Sequence, residues 1–334
     1  MGTELVKAER LLPSQDVERL WERAREITGS AFRTNTRYHY RADLRDFTRF
    51  CEAHGLQPMP ATPETLALYI ADRSQPGNDG RKPHKASTIR RRVAAISTLH
   101  KIAGHASPAA HEMITKALQG LVNILGNEAR KKKAATADVL RLMLDSMPPG
   151  DGTPAGDLRA ARDRAILLLG YAGGFRRSEL SAVRVEDVSF EPSGLRVRLL
   201  GSKTDKAQRG RTVGISRWKG ERCPVRAMRA WLDMAGIREG PIFRGILNSG
   251  KLRETPITGM SIATIWKKAA AAAGLNRDDF AGHSARRGHI TEAYLRGVPE
   301  TKIMRTTGHT STDTLRSYEE SANAYECSAA AVGL

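Results

Sequence analysis

Over the first 126 residues, apolar positions recur every three to four residues, the spacing of amphipathic helices. DVERLWERAREI and TRYHYRADLRDFTRFCEAHG are predicted helices, the second stopping at Gly55. TPETLALYIADRS places Thr62 as an N-cap and Pro63 at the first helical position. STIRRRVAAISTLHKIAG and SPAAHEMITKALQGLVNILG follow, each opened by serine and closed by glycine. Five such helices predict one helical domain over residues 1–126. GNEARKKKAA then loses the apolar period and is assigned, over 127–135, to a basic linker.

Beyond it the pattern is mixed. ATADVLRLMLDSM and RDRAILLLGYAGG carry helical spacing, whereas LRVRLLG alternates with period two and GRTVGIS supplies a partner strand. Together they predict a β-hairpin whose loop, SKTDKAQR, is rich in cations. PVRAMRAWLDMAG, TGMSIATIWKKAAAAAGL, HSARRGHITEAYLRG and PETKIMRTTG return to helix, and STDTLRSYEE and ANAYECSAAAVGL close the chain. The predicted fold is mainly α, in two domains, with a small antiparallel sheet in the second, residues 136–334.

Composition changes this picture in one respect. Among 334 residues, 54 Lys+Arg face 36 Asp+Glu, a net charge of +18 that calls for a polyanionic partner. An anionic membrane is the weaker choice, since no apolar run reaches the ~18 residues of a spanning helix. MGTELVKAERLLPSQ has no apolar targeting region, and Val6 stands where a myristoylation pattern needs Ser or Thr. Cys51, Cys223 and Cys327 are too few and too scattered for a disulfide framework or a cysteine zinc site, so a reducing cytoplasm is expected.

Several short stretches could carry chemistry. In GGFRRSEL, Arg176 and Glu179 share a helix face, and the glycines before them end one helix so that Arg176 opens another, a favourable place for an anion. The plainer alternative is a surface ion pair. Lys203 lies in GSKT, which misses the phosphate-binding loop pattern because Ser202 replaces its glycine; the alternative is a solvated hairpin lysine. In GHSARRGHI, His283 and Arg286 also share a face, without the spacing of a zinc site; a helix-capping histidine beside an exposed arginine is the alternative. His309 follows Gly308, and Tyr318, otherwise a half-buried aromatic, lies in a short helix that Ser311 could cap.

Taken together the groups suit one reaction. Paired guanidiniums can neutralise a phosphodiester without a metal. A lysine can protonate a departing 5′-oxygen, histidines can move protons, and a tyrosine can attack once its target is polarised. That chemistry is DNA strand cleavage through a phosphotyrosine, which keeps the energy of the broken diester and needs neither metal, ATP nor other cofactor.

The order Arg-x-x-Glu, Lys, His-x-x-Arg, Gly-His, Tyr over residues 130–327 resembles the tyrosine recombinase (phage integrase) family, and the helical front domain is most similar to Cre recombinase and its relatives. The resemblance implies a C-shaped clamp. Arg176 and Arg286 would hold the scissile phosphate, and Glu179 would brace Arg176 or His283. Lys203 would be the general acid, His283 would assist proton transfer, His309 would hydrogen-bond a phosphate oxygen, and Tyr318 would be the nucleophile. It further implies double-stranded DNA with an inverted-repeat target, and a homotetramer with two protomers per site that exchanges strands through a Holliday junction. The C-terminal helix would dock in trans, or else pack on its own chain. The setting implied is the nucleoid of a bacterium or phage host. Two departures stand out: position 309 is histidine where Cre has tryptophan, and GGFRRSEL replaces the commoner TGLRxSEL, leaving the role of Arg177 open.

Further DNA contacts are expected from Lys82, Lys85, Arg90 and Arg91, with Arg92 beside them, and from Lys131, Lys132 and Lys133 in the linker, mostly to phosphates. Three other readings use parts of the same set. One is a topoisomerase IB-like or telomere-resolving enzyme of the same chemistry, and another is a DNA-binding relative without activity. A metal-dependent nuclease is disfavoured because no carboxylate cluster accompanies the cations.

Overall fold

Local signals set most helix boundaries. The computed structural model describes residues 34–77, 80–126, 132–201, 210–312 and 315, and the chain falls into two units, residues 1–129 and 130–334. The helix expected over DVERLWERAREI and the last helix, ANAYECSAAAVGL, lie outside the described residues.

In the first unit, helices α1 (Thr34–Ala53), α2 (Pro63–Ser74), α3 (Ala86–Ile102) and α4 (Glu112–Leu125) enclose a core of Phe47, Leu66, Tyr69, Ile89, Ile96 and Ile114. Thr62 caps α2, its Oγ1 accepting from Thr65 N at 3.2 Å, with Pro63 at the first turn as expected. The serine openings differ. Helix α3 starts from Lys85 with no side-chain cap. Before α4 the chain makes a 3-10 turn at Pro108–Ala110, and His111 caps the helix by accepting from Met113 N. Ser107 instead bonds the hydroxyl of Ser97.

Several polar groups buried in this bundle are paired. Asp46 accepts from Tyr69 Oη at 2.6 Å, from Arg73 Nε at 2.9 Å and from Arg92, and Asp43 holds Arg91. His100 is fully buried, with Nδ1 donating to Ile96 O and Nε2 accepting from Ala61 N at 2.9 Å. His100→Leu keeps the volume but orphans the Ala61 N–H, so urea unfolding should show a loss of about 1–3 kcal/mol.

The second unit is built on α6 (Pro154–Ala172), whose stretch Ala165–Tyr171 is buried all round, as a central helix must be. Helix α6 begins eight residues before its expected start at Arg162 because Thr153 caps it, Oγ1 accepting from Gly156 N, with Pro154 at its first position. Around it lie α5 (Ala137–Asp145), α7 (Arg177–Ala182), α8 (Pro224–Met234), α9 (Gly259–Ala272), α10 (Gly282–Leu295) and α11 (Glu300–Thr307). The expected hairpin is β2 (Gly194–Leu199) and β3 (Arg211–Ser216), with Leu195, Val197 and Leu199 buried and Arg196 and Arg198 exposed. Strand β1 (Val188–Glu191), too short to show alternation, extends the sheet to the antiparallel order β1-β2-β3, and β4 (Arg244–Ile246) pairs with β5 (Leu252–Pro256).

Part of the expected linker is not a linker. Lys133 N donates to Asp279 O and Ala135 N to Ser284 O, and Ala135 is fully buried. This extended segment passes so close to α10 that a Cβ on Gly288 would lie 1.7 Å from Ala135 O. Backbone cannot yield as a side-chain tip can, so Gly288→Ala should lower stability by about 1–3 kcal/mol, read as a reduced thermal midpoint.

Candidate active site

Three chain reversals bring the site together. At the end of α6, Gly174 N donates to Tyr171 O and Phe175 N to Gly170 O, with Gly174 at φ +57°: a Schellman termination. It delivers Arg176 to the N-cap of α7, and Glu179, three residues on, reaches back to accept from Arg176 N at 2.9 Å, the acidic half of a capping box. At the end of α11, Gly308 takes the left-handed conformation and turns the chain toward His309. Helix α10 opens at Ala281, where Ser284 Oγ accepts from Ala281 N. His283 is exposed on its first turn, and Arg286, one turn later, is 2% exposed.

The arginines are braced by one another's loops. Arg176 Nη1 meets Glu179 Oε1 at 2.6 Å and its Nη2 reaches Gly308 O at 3.3 Å. Arg286 Nη1 donates to Gly174 O at 2.9 Å, and its Nη2 lies 3.1 Å from His309 Nε2 and 3.3 Å from Nδ1. Thr307 Oγ1 donates to Ile303 O at 2.6 Å, so its 2.8 Å contact with His309 Nδ1 is a bond from the ring N–H. That leaves Nε2 as the nitrogen that accepts from Arg286.

The alternative of a surface ion pair does not hold: the Arg176 and Glu179 side chains are 14% and 7% exposed. Sequence reasoning also passed over Arg211, which forks onto Glu179 with Nη1–Oε1 at 3.1 Å and Nη2–Oε2 at 2.9 Å. Its only signal was a basic residue opening the strand after the Lys203 loop. Burial raises the Glu179 carboxyl, but bonds from Arg211 and then Arg176 outweigh it and hold the group below the usual carboxylate range. Burial, then the charges of Arg286, Arg176 and Arg211, push His309 down to about 4, so it is neutral at pH 7. Among the described residues, three guanidiniums thus surround one carboxylate and one neutral imidazole, a positive excess that suits an anion. Among the described residues no cluster of His, Cys, Asp and Glu could hold a metal ion.

Lys203, Tyr318 and Lys131 lie outside the described residues. Leu315, three positions before Tyr318, is fully buried with Ile290 of α10 and Ile303 of α11. Of the expected DNA contacts, Lys82, Lys85, Arg90 and Arg91 are exposed, though Arg91 is also bonded to Asp43. Lys132 donates to Asp278 O, and Lys133 pairs with Asp279 at 3.0 Å.

Residues 135–324 match the model of the phage integrase family, and residues 29–106 match that of the phage integrase N-terminal SAM-like domain. The chain belongs to the phage integrase family. Its enzyme class is that of the tyrosine site-specific recombinases. An integrase/recombinase XerD homolog of Selenomonas ruminantium is 36% identical over 96% of this chain and 91% of its own length. Tyrosine recombinase XerD of Corynebacterium glutamicum is 26% identical over 85% of this chain and 86% of its own. The integrase fold recurs in the Tn1549 transposon integrase in complex with transposon right end DNA, at 14% identity and TM-score 0.61 over 92% of this chain and 97% of that one. It recurs in XerH bound to its difH substrate, at 14% identity and TM-score 0.56 over 95% and 85%. The two sequence relatives carry Xer names, so the likeness to Cre expected from the helical front domain is not supported by them. No helix among the described residues is long and apolar enough to cross a membrane.

Proposed function

We propose that this chain cuts and rejoins duplex DNA at a specific site through Tyr318. The Tyr318 oxygen attacks the scissile phosphorus, the P–O5′ bond breaks, and the phosphate becomes a 3′-phosphotyrosine. Lys203 gives its proton to the leaving 5′-oxygen, and His283 assists removal of the tyrosine proton. A 5′-hydroxyl from another strand then reverses the step, with bond energy conserved throughout. Arg176 and Arg286 clamp the phosphate, Glu179 braces Arg176, and His309 bonds a phosphate oxygen.

The observation that supports this reading best is the convergence of Arg176, Arg286 and His309 on the Gly174 and Gly308 turns over a buried Glu179. The phosphodiester arrives with one negative charge, and the pentavalent state adds another. Three guanidiniums against one carboxylate match the later state, and being fixed by protein bonds they need little reorganisation. The phosphate would take the Arg286 donor now facing His309, and its charge would favour a protonated ring. Family membership and the +18 charge support DNA as partner, and we extend the reading to two protomers on an inverted repeat, four in the strand-exchange assembly and a Holliday junction. The Xer branch is the better assignment, on 36% identity across nearly the full chain.

Covalent trapping tests it. The protein is mixed with duplexes from the flanks of its gene, nicked so that the cleaved end diffuses away, without metal or ATP. An adduct that survives denaturant, with phosphotyrosine in its hydrolysate, is the expected result. Absence of adduct on DNA that the protein binds would favour the DNA-binding reading without activity. Exchange between two sites separates recombination from topoisomerase-like relaxation.

A further inference from the structure

Glu179 accepts four hydrogen bonds. Its Oε1 accepts from Arg176 Nη1 and Arg211 Nη1, and its Oε2 from Arg176 N and Arg211 Nη2. Arg211 spends its remaining edge on Thr306 O, with Nε at 3.1 Å. It also lies directly against the turn that carries His309: a Cβ on Gly308 would stand 2.8 Å from Arg211 Nη1. The Arg211 side chain is 13% exposed. One residue at the head of β3 therefore grips both the α7 carboxylate and the last turn of α11.

A carboxylate held by a bidentate fork cannot rotate, whereas one held by a single side-chain bond can. Among the described contacts, the Arg176 side chain is held by its Nη1 bond to Glu179 and by the longer 3.3 Å contact to Gly308 O. Its aim thus depends on Glu179 staying fixed and on Gly308 staying in place, and Arg211 secures both.

We infer that Arg211 is a positioning residue for strand cleavage, acting through Glu179 and the Thr306–Gly308 turn to aim Arg176 and seat His309. This rests on the transesterification reading above. Arg211 does not replace the phosphate clamp; it makes one half of the clamp rigid and ties it to the sheet.

The test is a double-mutant cycle on the full-length protein, reading the single-turnover rate of covalent adduct formation on a nicked duplex, with DNA affinity measured alongside. Arg211→Met is expected to slow adduct formation by about 10²-fold while affinity stays within about threefold, since one buried charge among many phosphate contacts moves binding little. Arg211→Lys, which keeps the charge and loses the fork, is expected to fall between. In a Glu179→Gln background, either Arg211 change is expected to cost clearly less than in the unaltered protein, because only the Thr306–Gly308 route is left to lose.

A second readout is the pH profile. The charges facing Glu179 are Arg176 from the head of its own helix, Arg211 from β3, and beyond them His309 after α11 with Arg286 of α10 bonded to it. Arg211 depresses the carboxyl, and the ionised form is lost as pH falls through its folded value. Removing Arg211 raises that value, so the acid decline of the Arg211→Met rate should begin at a higher pH than in the unaltered protein. Should Arg211→Met not fold, Arg211→Lys with and without Glu179→Gln carries the same cycle. Unaltered rates in the Arg211 variants, or equal losses with and without Glu179→Gln, overturn the inference alone. No adduct from the unaltered protein on DNA it binds overturns the transesterification reading and this inference with it.

Discussion

Tyr318→Phe is expected to leave DNA binding intact and abolish the covalent adduct. The substitution removes one oxygen and keeps the ring. A phenol has a free pKa of ~10 and is a weak nucleophile at neutral pH, which is why it needs both a proton acceptor and a target already polarised by cations. The polarisation comes from other residues: Arg176 and Arg286 are bonded to Glu179, Gly308 O, Gly174 O and His309. Affinity by mobility shift should therefore match the unaltered protein, while a denaturing gel should show no adduct at any time. A residual adduct would assign the nucleophile to another residue and sink the role given to Tyr318.

Arg286→Ala should have the next largest effect. Arg286 is buried on α10 and divides its fork between Gly174 O and His309. Its loss removes one of two guanidiniums aimed at the phosphate, leaves Gly174 O without that donor and frees the His309 ring. Deleting a preorganised donor of this kind costs about 10²–10³ in rate, about 2.7–4 kcal/mol of barrier. Arg286→Lys should recover little, because an ammonium cannot span both acceptors. The measurement is the single-turnover rate of adduct formation at saturating protein, with thermal unfolding as the control for integrity. A loss under tenfold in Arg286→Ala would move the clamp elsewhere.

These expectations depend on features of unequal legibility. Arg176 with Glu179, and His283 with Arg286, could be paired from the sequence because three residues on a helix is nearly one turn, so proximity is local. The alternation of β2 and β3 was legible for the same reason: Leu195, Val197 and Leu199 report their burial through spacing alone. The start of α6 was missed although its signal, Thr153 followed by Pro154, is also local. There the apolar run drew attention away from the cap. Strand β1 was missed because four residues cannot show a period.

Long-range relations were a different matter. Arg211 and Glu179 are 32 positions apart, and no spacing rule links a strand-opening arginine to a carboxylate on another helix. The sequence likewise left the Arg176–Glu179 pair open to a surface reading, since burial depends on what the rest of the chain lays over it. The cluster of lysines at 131–133 reads as a solvated linker until Ala135 is seen buried against Gly288.

The sequence by itself determined the mainly helical two-part plan, the cationic excess and the order of the candidate reacting groups. Those are properties of composition and of neighbours within a turn. Only the tertiary structure decided that Arg176, Arg286 and His309 meet, that Glu179 is buried and shared with Arg211, and that His309 presents a bare nitrogen to Arg286. The physical reason is that each of these depends on desolvation and on distances across the fold. Three backbone reversals and the packing of α7, α10 and α11 set those distances, and no local pattern encodes them.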